Sequence, residues 1–572
     1  MIKVLNYNSE IENAYIKIQE IAPGIKIPDK SKSFDIYHMV STILQNKKQK
    51  NSMIINLGAY NDASLWVLAR LGYTKLYGLD LRDDIYNMPF YTKIKYLTGD
   101  MYNTHFPNDM FDVSISLSAI EHGLMNFGKF FEELRRIMKN NGILLISTDY
   151  NETKINTEGI KAFGLSLTIF DKTDIKRLIK TASEYGFHLL ANTNIPKQKG
   201  TPHFWNNRKY TTILLGFKLR KENSELKLPR HINILCPVIG THNGIYEHSL
   251  YLKQRLIKEY GIHATIYNKM EKIKNNNIVI YQYEGSLPLP NLNKLTKNNK
   301  VIIEMHSIPY LFNLSFYLKR IKSAPTFMLK RQYLFELLKR SIIHIFHIIF
   351  DKNLIEKGKS DIKTINNYPS DRVIILARSN YLAEKVNLKN YFLMPVIAYP
   401  KIGKMIKRDR RLCLGSFGFA YKFKRFDKIC KLARRLNIPL TLLLTIPDSN
   451  EGDKQKCLRL AHEIKDKYES NLTKIKIGYF GYNYIYAELS RCSHIIFAQK
   501  NANQTSGTMR FGIALGKPVI ALDSYQAKEA QVYRVKSLSE IDIEYLKSHN
   551  EKIELDDGLL YLIRVLSYYC KN

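Results

Sequence analysis

Short apolar runs that stop at a glycine or an acid, each followed by a stretch of helical spacing, recur through most of this chain. Few folds accommodate that rhythm. Residues 53–57 (MIINL) stop at Gly58, and 63–71 (ASLWVLARL) then place apolar residues at helical intervals. Residues 76–80 (LYGLD) end in Asp80, and 94–97 lead into Gly99 and Asp100. Residues 111–117 (FDVSISL) precede a helical pattern over 127–138, and Asn140-Asn141-Gly142 turns the chain into 143–147 (ILLIS). The rhythm restarts at 232 (INILCPV), recurs at 277–281, 301–305 and 373–376, and resumes over 412–414, 440–444, 475–479, 494–497 and 518–522. Strands alternating with helices pair in parallel through right-handed crossovers. The expected class is therefore α/β, built from Rossmann-like sheets.

At 572 residues the chain exceeds the ~250–300 at which single cores stop growing. The pattern divides it into an N-terminal helical extension (1–50), a first α/β domain (51–220), a charged linker (221–230) and two further lobes (231–400 and 411–572). The six cysteines include no CxxC pair, which argues against a disulfide framework or a zinc site, and no metal is expected. The formal charge of +35 fits anionic lipid, phosphate-bearing small molecules or nucleic acid. The basic blocks 401–411 (KIGKMIKRDRR) and 422–425 (KFKR) lack a stacking pattern of interleaved aromatics, so nucleic acid is not the expected partner. The opening residues carry no apolar secretory run, and 341–350 (SIIHIFHIIF) falls short of the ~20 residues a span needs. A cytoplasmic protein is expected, with peripheral contact at an anionic inner membrane face open to it.

In parallel sheets ligands bind beyond the carboxyl ends of the strands. The turn Gly58-Ala59-Tyr60-Asn61-Asp62 would bring backbone N–H groups to a ligand there, and Asp80 could accept from ribose hydroxyls. Asp100 and Met101 could border a base. Over roughly residues 50–220 this order resembles the class I S-adenosylmethionine-dependent methyltransferases, most closely in FDVSISLSAIEHG and FFEELRRIMKNNGILLIST. The resemblance implies S-adenosylmethionine as cofactor, held by Asn56, Gly58, Asp80, Asp100, Met101 and Ser118. It departs from the family at Asn56, where an acid is usual, and at Tyr60, where a second glycine is usual. Glu121 and His122 follow the fourth strand, and a hydroxyl acceptor would profit from a base there.

In the second half, Gly244-Ile245-Tyr246-Glu247-His248, Glu304-Met305-His306 and Gly415-Ser416-Phe417-Gly418 with Lys424-Arg425-Phe426-Asp427 resemble segments of family-four retaining glycosyltransferases. So do residues 504–510 (QTSGTMR) with 514–520 (ALGKPVI). The resemblance implies a GT-B pair of lobes and a nucleotide-sugar donor. It places His306 against the donor sugar, and Gly244, Ser416, Lys424, Ser506, Gly507, Thr508 and Arg510 at the donor. A diphosphate leaving group builds negative charge that a helix N-terminus and nearby cations stabilise without a metal. The family's paired glutamates fall on Asn503 and Phe511. Together the halves suggest a bifunctional enzyme that transfers a sugar to a saccharide or lipid-linked acceptor and methylates a sugar or related group. The alternatives are an RNA-modifying methyltransferase with a basic C-terminal region, and a scaffold with an inactive lobe.

Overall fold

The computed structural model describes the chain apart from residues 48, 124–125, 192–193, 222–226, 239–243, 274–276, 284–288, 307–330, 332–333, 335–336, 339–351, 379, 396–411, 448–450, 500–506, 552, 554–556 and 572. The chain divides into two compact units, Met1–Leu226 with Asn313–Ile345, and Lys227–Phe312 with Phe346–Asn572. The expected linker straddles that division.

The first unit is built on a sheet whose strands are β1 (Ile2–Val4), β2 (Met53–Leu57), β3 (Lys75–Asp80), β4 (Ile94–Thr98), β5 (Phe111–Leu117) and β6 (Met138–Tyr150), with β9 (Phe187–Leu189), β10 (His203–Trp205) and β11 (Arg208–Leu219). Between them a two-stranded hairpin, β7 (Lys161–Ala162) and β8 (Leu165–Ser166), stands apart. The order is β1-β11-β6-β5-β2-β3-β4. Strands β2 to β6 pair in parallel, and β11 runs antiparallel to β6. The order reverses between β2 and β5, which puts a crevice above their carboxyl ends. Strand β2 is buried throughout, as a central parallel strand must be.

The N-terminal segment is more than a helical extension. Strand β1 extends the sheet by pairing antiparallel with β11. Helices Asn8–Ile21 and Ser33–Asn46 then contribute Ile18, Ala22, Met39, Val40 and Ile43 to the same core as Ile54, Leu76, Ile94 and Val113. A three-residue strand carries too little periodicity to be seen in sequence; the edge left open by β11 recruits it.

The second unit holds two parallel six-stranded sheets. The first comprises β12 (His231–Leu235), β13 (His263–Tyr267), β14 (Ile278–Tyr283), β15 (Lys300–Met305), β16 (Val373–Ala377) and β17 (Tyr391–Leu393), in the order β13-β12-β14-β15-β16-β17. The second comprises β18 (Leu414–Phe419), β19 (Leu440–Thr445), β20 (Thr473–Gly478), β21 (His494–Phe497), β22 (Val519–Leu522) and β23 (Tyr533–Val535). Its order, β20-β19-β18-β21-β22-β23, reverses between β18 and β21, the arrangement of a dinucleotide-binding sheet. The last helix, Gly558–Lys571, returns to the first of these sheets: Tyr569 donates its hydroxyl to the Val301 carbonyl at 3.0 Å and Lys300 donates to the Tyr569 carbonyl at 2.8 Å. Among the described residues no helix is long and apolar enough to cross a membrane.

Candidate functional sites

In the first unit, Gly58 follows β2 with φ +86, a conformation strained for any residue with a Cβ. An added Cβ would lie 2.4 Å from the Ala119 Cβ, so the loops after β2 and β5 meet where only glycine fits. Asp80 ends β3 as expected. Its Oδ1 accepts from the Arg82 N–H at 3.0 Å and its Oδ2 from the Tyr60 N–H at 3.2 Å. Burial pushes its carboxyl up, against the pull of those backbone donors. Backbone donors fix its orientation and leave lone pairs on both oxygens for ribose hydroxyls. Tyr60, which stands where a second glycine is usual, is held aside from the backbone: its hydroxyl donates to Asp84 at 3.1 Å and the Arg82 guanidinium lies 3.7 Å from its ring centroid. The glycine cradle and the open carboxylate fit a nucleoside-bearing cofactor.

Two other expected contacts, at Asn56 and Ser118, need correction. Asn56 is fully buried, and its Nδ2 donates to Asp62 and, at 3.2 Å, to Ser64. It therefore holds the loop rather than a ligand, and the acid missing from its own position is supplied inside the loop by Asp62, whose carboxyl burial pushes up. Asp100 is exposed and accepts from the Tyr102 N–H at 2.9 Å; Met101 beside it is half-buried. Both follow β4 at the margin of the sheet. Ser118 ends β5 in a left-handed conformation (φ 45), and its Oγ accepts from Lys32 Nζ at 2.7 Å.

That contact leads to a group the sequence pattern missed. Lys32 also approaches Asp149 at 3.8 Å. Burial opposes the Lys32 charge, but Asp149, Asp35 and Glu121 outweigh burial and raise its pKa. Burial pushes Asp35 and Asp149 up to about 7, and Glu121 up as well. Glu121 Oε2 accepts from Thr148 at 3.2 Å. His122, half-buried, has its pKa lowered by burial, while Asp149 pulls the other way. Glu121 and His122 thus do come together, but around Lys32, Asp35 and Asp149. Asp149 could have been noticed, because it ends a strand in an acid as Asp80 does. Lys32 and Asp35 carry no local signal, since only tertiary folding brings them to the ends of β5 and β6.

In the second unit the crevice between β18 and β21 brings together Lys424 and Thr508. Lys424 Nζ donates to the Thr508 hydroxyl at 3.5 Å, in the first turn of helix Gly507–Ala514. Gly418, at φ +138, would put a Cβ 3.5 Å from Thr508 Cγ2. Burial lowers the Lys424 pKa to about 8, and among the described residues no carboxylate acts to hold it up. An ammonium desolvated at a helix N-terminus, where the helix dipole is positive, is a strained arrangement that an anion would relieve. Ser506 and Asn503 lie outside the described residues. Two expected donor contacts are corrected. Ser416 is fully buried and donates to the Ile496 carbonyl at 2.7 Å, tying β18 to β21. Arg510 is buried and paired with Glu529. Phe511 packs in the core against Phe417, with ring centroids 5.4 Å apart. Helical periodicity turns these two side chains away from the helix N-terminus and into the lobe.

The other sheet of this unit carries a polar network at its carboxyl ends. Helix Gly244–Tyr260 begins at the expected Gly244 and presents His248, whose Nε2 lies 2.8 Å from Glu304 Oε1. Arg378 donates to the same oxygen at 2.5 Å, and Gln282 to Oε2 at 2.9 Å. Burial opposes ionisation of Glu304, but His248 and Arg378 hold its carboxyl well below the usual range. His306, next to the end of β15, hydrogen-bonds Gln282, and burial drives its pKa well down. His248, Glu304 and His306 place ligand atoms within 4.8 Å of one another. With three donors already on Glu304, one of them a guanidinium, the set suits orienting His306 better than holding a cation.

Residues 55–146 match a family model described as a methyltransferase domain. A search of curated proteins gives no match. Among solved structures, the Pyrococcus horikoshii protein PH0226 is 17% identical, with 36% of this chain and 99% of that chain covered and a TM-score of 0.26. A Mesorhizobium loti S-adenosylmethionine-dependent methyltransferase is 15% identical over 32% of this chain and 97% of that chain, with a TM-score of 0.24. Bacillus subtilis YcgJ is 14% identical over 33% of this chain and 98% of that chain, with a TM-score of 0.26. The matched residues run from β2 to β6, so the glycine cradle, Asp80 and the Glu121-His122 pair all lie on a methyltransferase domain.

Proposed function

We propose that this chain is a two-activity transferase. Its first unit methylates a hydroxyl of a sugar or related small group with S-adenosylmethionine. Its second unit transfers a sugar from a nucleotide-sugar donor to a saccharide or lipid-linked acceptor. For the first activity the support is the matched methyltransferase domain together with the Gly58 cradle and Asp80. Gly58, Asp80, Asp100 and Met101 would hold the cofactor, which supplies an electrophilic methyl group when bound. The chain's own part is to exclude water, align the acceptor and take its proton.

For the second activity one observation carries the reading: Lys424, desolvated and with no carboxylate acting on it among the described residues, faces the N-terminal turn of helix Gly507–Ala514 at the reversal point of a dinucleotide-type sheet. A diphosphate there would meet backbone N–H groups, the Thr508 hydroxyl and one cation, a set that favours departure of the nucleotide. A GT-B arrangement is consistent with two parallel sheets in one unit and a last helix that returns to the first of them. His306, oriented by Gln282 and Glu304, would face the sugar.

The test is titration calorimetry of the full chain with S-adenosylhomocysteine and with uridine, guanosine and adenosine diphosphates. We expect the first ligand and one of the diphosphates each to bind at one site. Absence of diphosphate binding would remove the glycosyl-transfer reading and leave the methyltransferase reading standing.

A further inference from the structure

Beyond the cofactor cradle, a cluster of buried ionisable groups in the first unit sits around His122. Asp35 is 1% exposed, and Ser147 and Lys32 act on its carboxyl without a hydrogen bond of ordinary geometry. His122 Nδ1 is likewise buried without a hydrogen bond, and Asp149 Oδ1 faces Lys32 at 3.8 Å, beyond ordinary hydrogen-bond reach. Buried polar atoms left open in one place mark a site that something else completes. The groups come from separate elements: Lys32 and Asp35 from the segment entering helix Ser33–Asn46, Glu121 and His122 from the loop after β5, Asp149 from β6 and Tyr210 from β11. On its outer side His122 meets Phe163, ring centroids 5.3 Å apart and edge to face, and Phe163 is 74% exposed at the tip of the β7–β8 hairpin. An exposed aromatic ring beside a half-buried histidine is a platform for the apolar face of another ring.

We propose that His122, backed by Asp149 and Lys32 and flanked by Phe163, is the acceptor subsite of the methyltransferase unit and takes an uncharged ring bearing a hydroxyl. This rests on the methyl-transfer reading and names the acceptor for it. Three carboxyls around one lysine leave no spare cation there to pair with a phosphate or carboxylate acceptor. An amine needs no base while it attacks, whereas a hydroxyl does, and a neutral imidazole is such a base. In the step, the acceptor O–H proton passes to His122 and the oxygen bonds to the methyl carbon. The electron pair of the broken C–S bond stays on sulfur, and the imidazolium later gives its proton to water. Asp149 acts as a positioning residue that favours the imidazolium when it is ionised; Lys32 opposes the imidazolium and pulls the Asp149 carboxyl toward ionisation against burial. Burial lowers the His122 pKa, which keeps the ring neutral and ready at pH 7.

The test is carbethoxylation of His122 by diethyl pyrocarbonate, read by peptide mass spectrometry between pH 5 and 8 in the full chain. Lys32→Met is expected to raise the titration midpoint by about one pH unit, and Asp149→Asn to lower it by less, because burial keeps much of Asp149 protonated where His122 titrates. S-adenosylhomocysteine binding by each variant reports a retained fold, with Lys32→Arg as the conservative control. Midpoints that do not move overturn the proposal. Failure of the wild-type chain to bind S-adenosylhomocysteine is a separate result that removes the methyl-transfer reading itself. Transfer of radiolabelled methyl to a panel of uncharged methyl glycosides, to glucose 6-phosphate and to glucosamine reads the acceptor class. We expect label in a glycoside, with Phe163→Ala raising its KM about tenfold and changing kcat little. Label entering no glycoside, or favouring the phosphate or the amine, overturns the class.

Discussion

Lys32 and Lys424 stand beyond the carboxyl ends of different parallel sheets and are opposite in charge balance. Lys32 lies among Asp35, Glu121 and Asp149, which raise its pKa against burial. Lys424 has no such company among the described residues, and burial lowers its pKa to about 8. The first arrangement is settled internally for the lysine and leaves acids in excess; the second leaves a cation in excess. On the proposed reading, one crevice suits proton removal from an uncharged group and the other suits an anion. The sheet order alone would not have told them apart, since both reverse at the same point in their topology.

The sharpest way to break this contrast is at Gly58. Gly58→Val forces a branched side chain into the 2.4 Å approach to Ala119 and into a left-handed backbone. We expect S-adenosylhomocysteine binding to fall by ~100-fold or more, with nucleoside diphosphate binding unchanged. Loss of both in calorimetry would mean that the two crevices are not independent. Next in size is Lys424→Met, which should weaken nucleoside diphosphate binding by ~10–100-fold and leave S-adenosylhomocysteine binding alone.

The same substitution has a stability signature. The folded pKa of Lys424 lies below the ordinary 10.5, so between about pH 8 and 10.5 the unfolded chain holds the extra proton. Unliganded wild-type protein should gain stability from this group as pH rises through that window, and Lys424→Met should abolish the gain. Asp35→Asn tests the opposite case. The folded pKa of Asp35, about 7, lies above the ordinary 3.8, so stability from this group is present at low pH and falls as pH rises from about 4 to 7. The variant should therefore be more stable than wild type above pH 7, by roughly 1–3 kcal/mol, with the gap closing toward pH 4 in urea unfolding.

Much of this contrast was hidden in the sequence, for a physical reason. Gly58, Asp80 and Lys424 were legible because each follows a strand at a fixed offset, where chain geometry alone brings it to the crevice. The alternating pattern likewise carried the three parallel sheets. Lys32, Asp35 and Asp149 meet through contacts that span more than a hundred residues, and no local period encodes that. Ser416 and Arg510 were misread because a motif gives position along an element but not the face a side chain takes. Ser416 points within the sheet to Ile496, and Arg510 turns into the core toward Glu529. Asn56 and Tyr60, which looked like erosion of the cofactor loop, are each bound into it by Asp62 and Asp84.

That last point gives the smallest expected effect. Tyr60→Phe removes one hydrogen bond to Asp84 and keeps the ring beneath Arg82. Stability should drop by about 0.5–1 kcal/mol and S-adenosylhomocysteine affinity should change less than about threefold. A larger loss of affinity would make Tyr60 part of the cofactor site and not only of its frame.

The central claim is that one chain carries two separate ligand crevices of opposite electrostatic character. Calorimetric titration of the wild-type chain with S-adenosylhomocysteine, repeated after saturation with the best nucleoside diphosphate, tests it most directly. The account predicts one site for each ligand and the same affinity for the first whether or not the second is bound. Mutual displacement, or heat from only one of the two ligands, would contradict it.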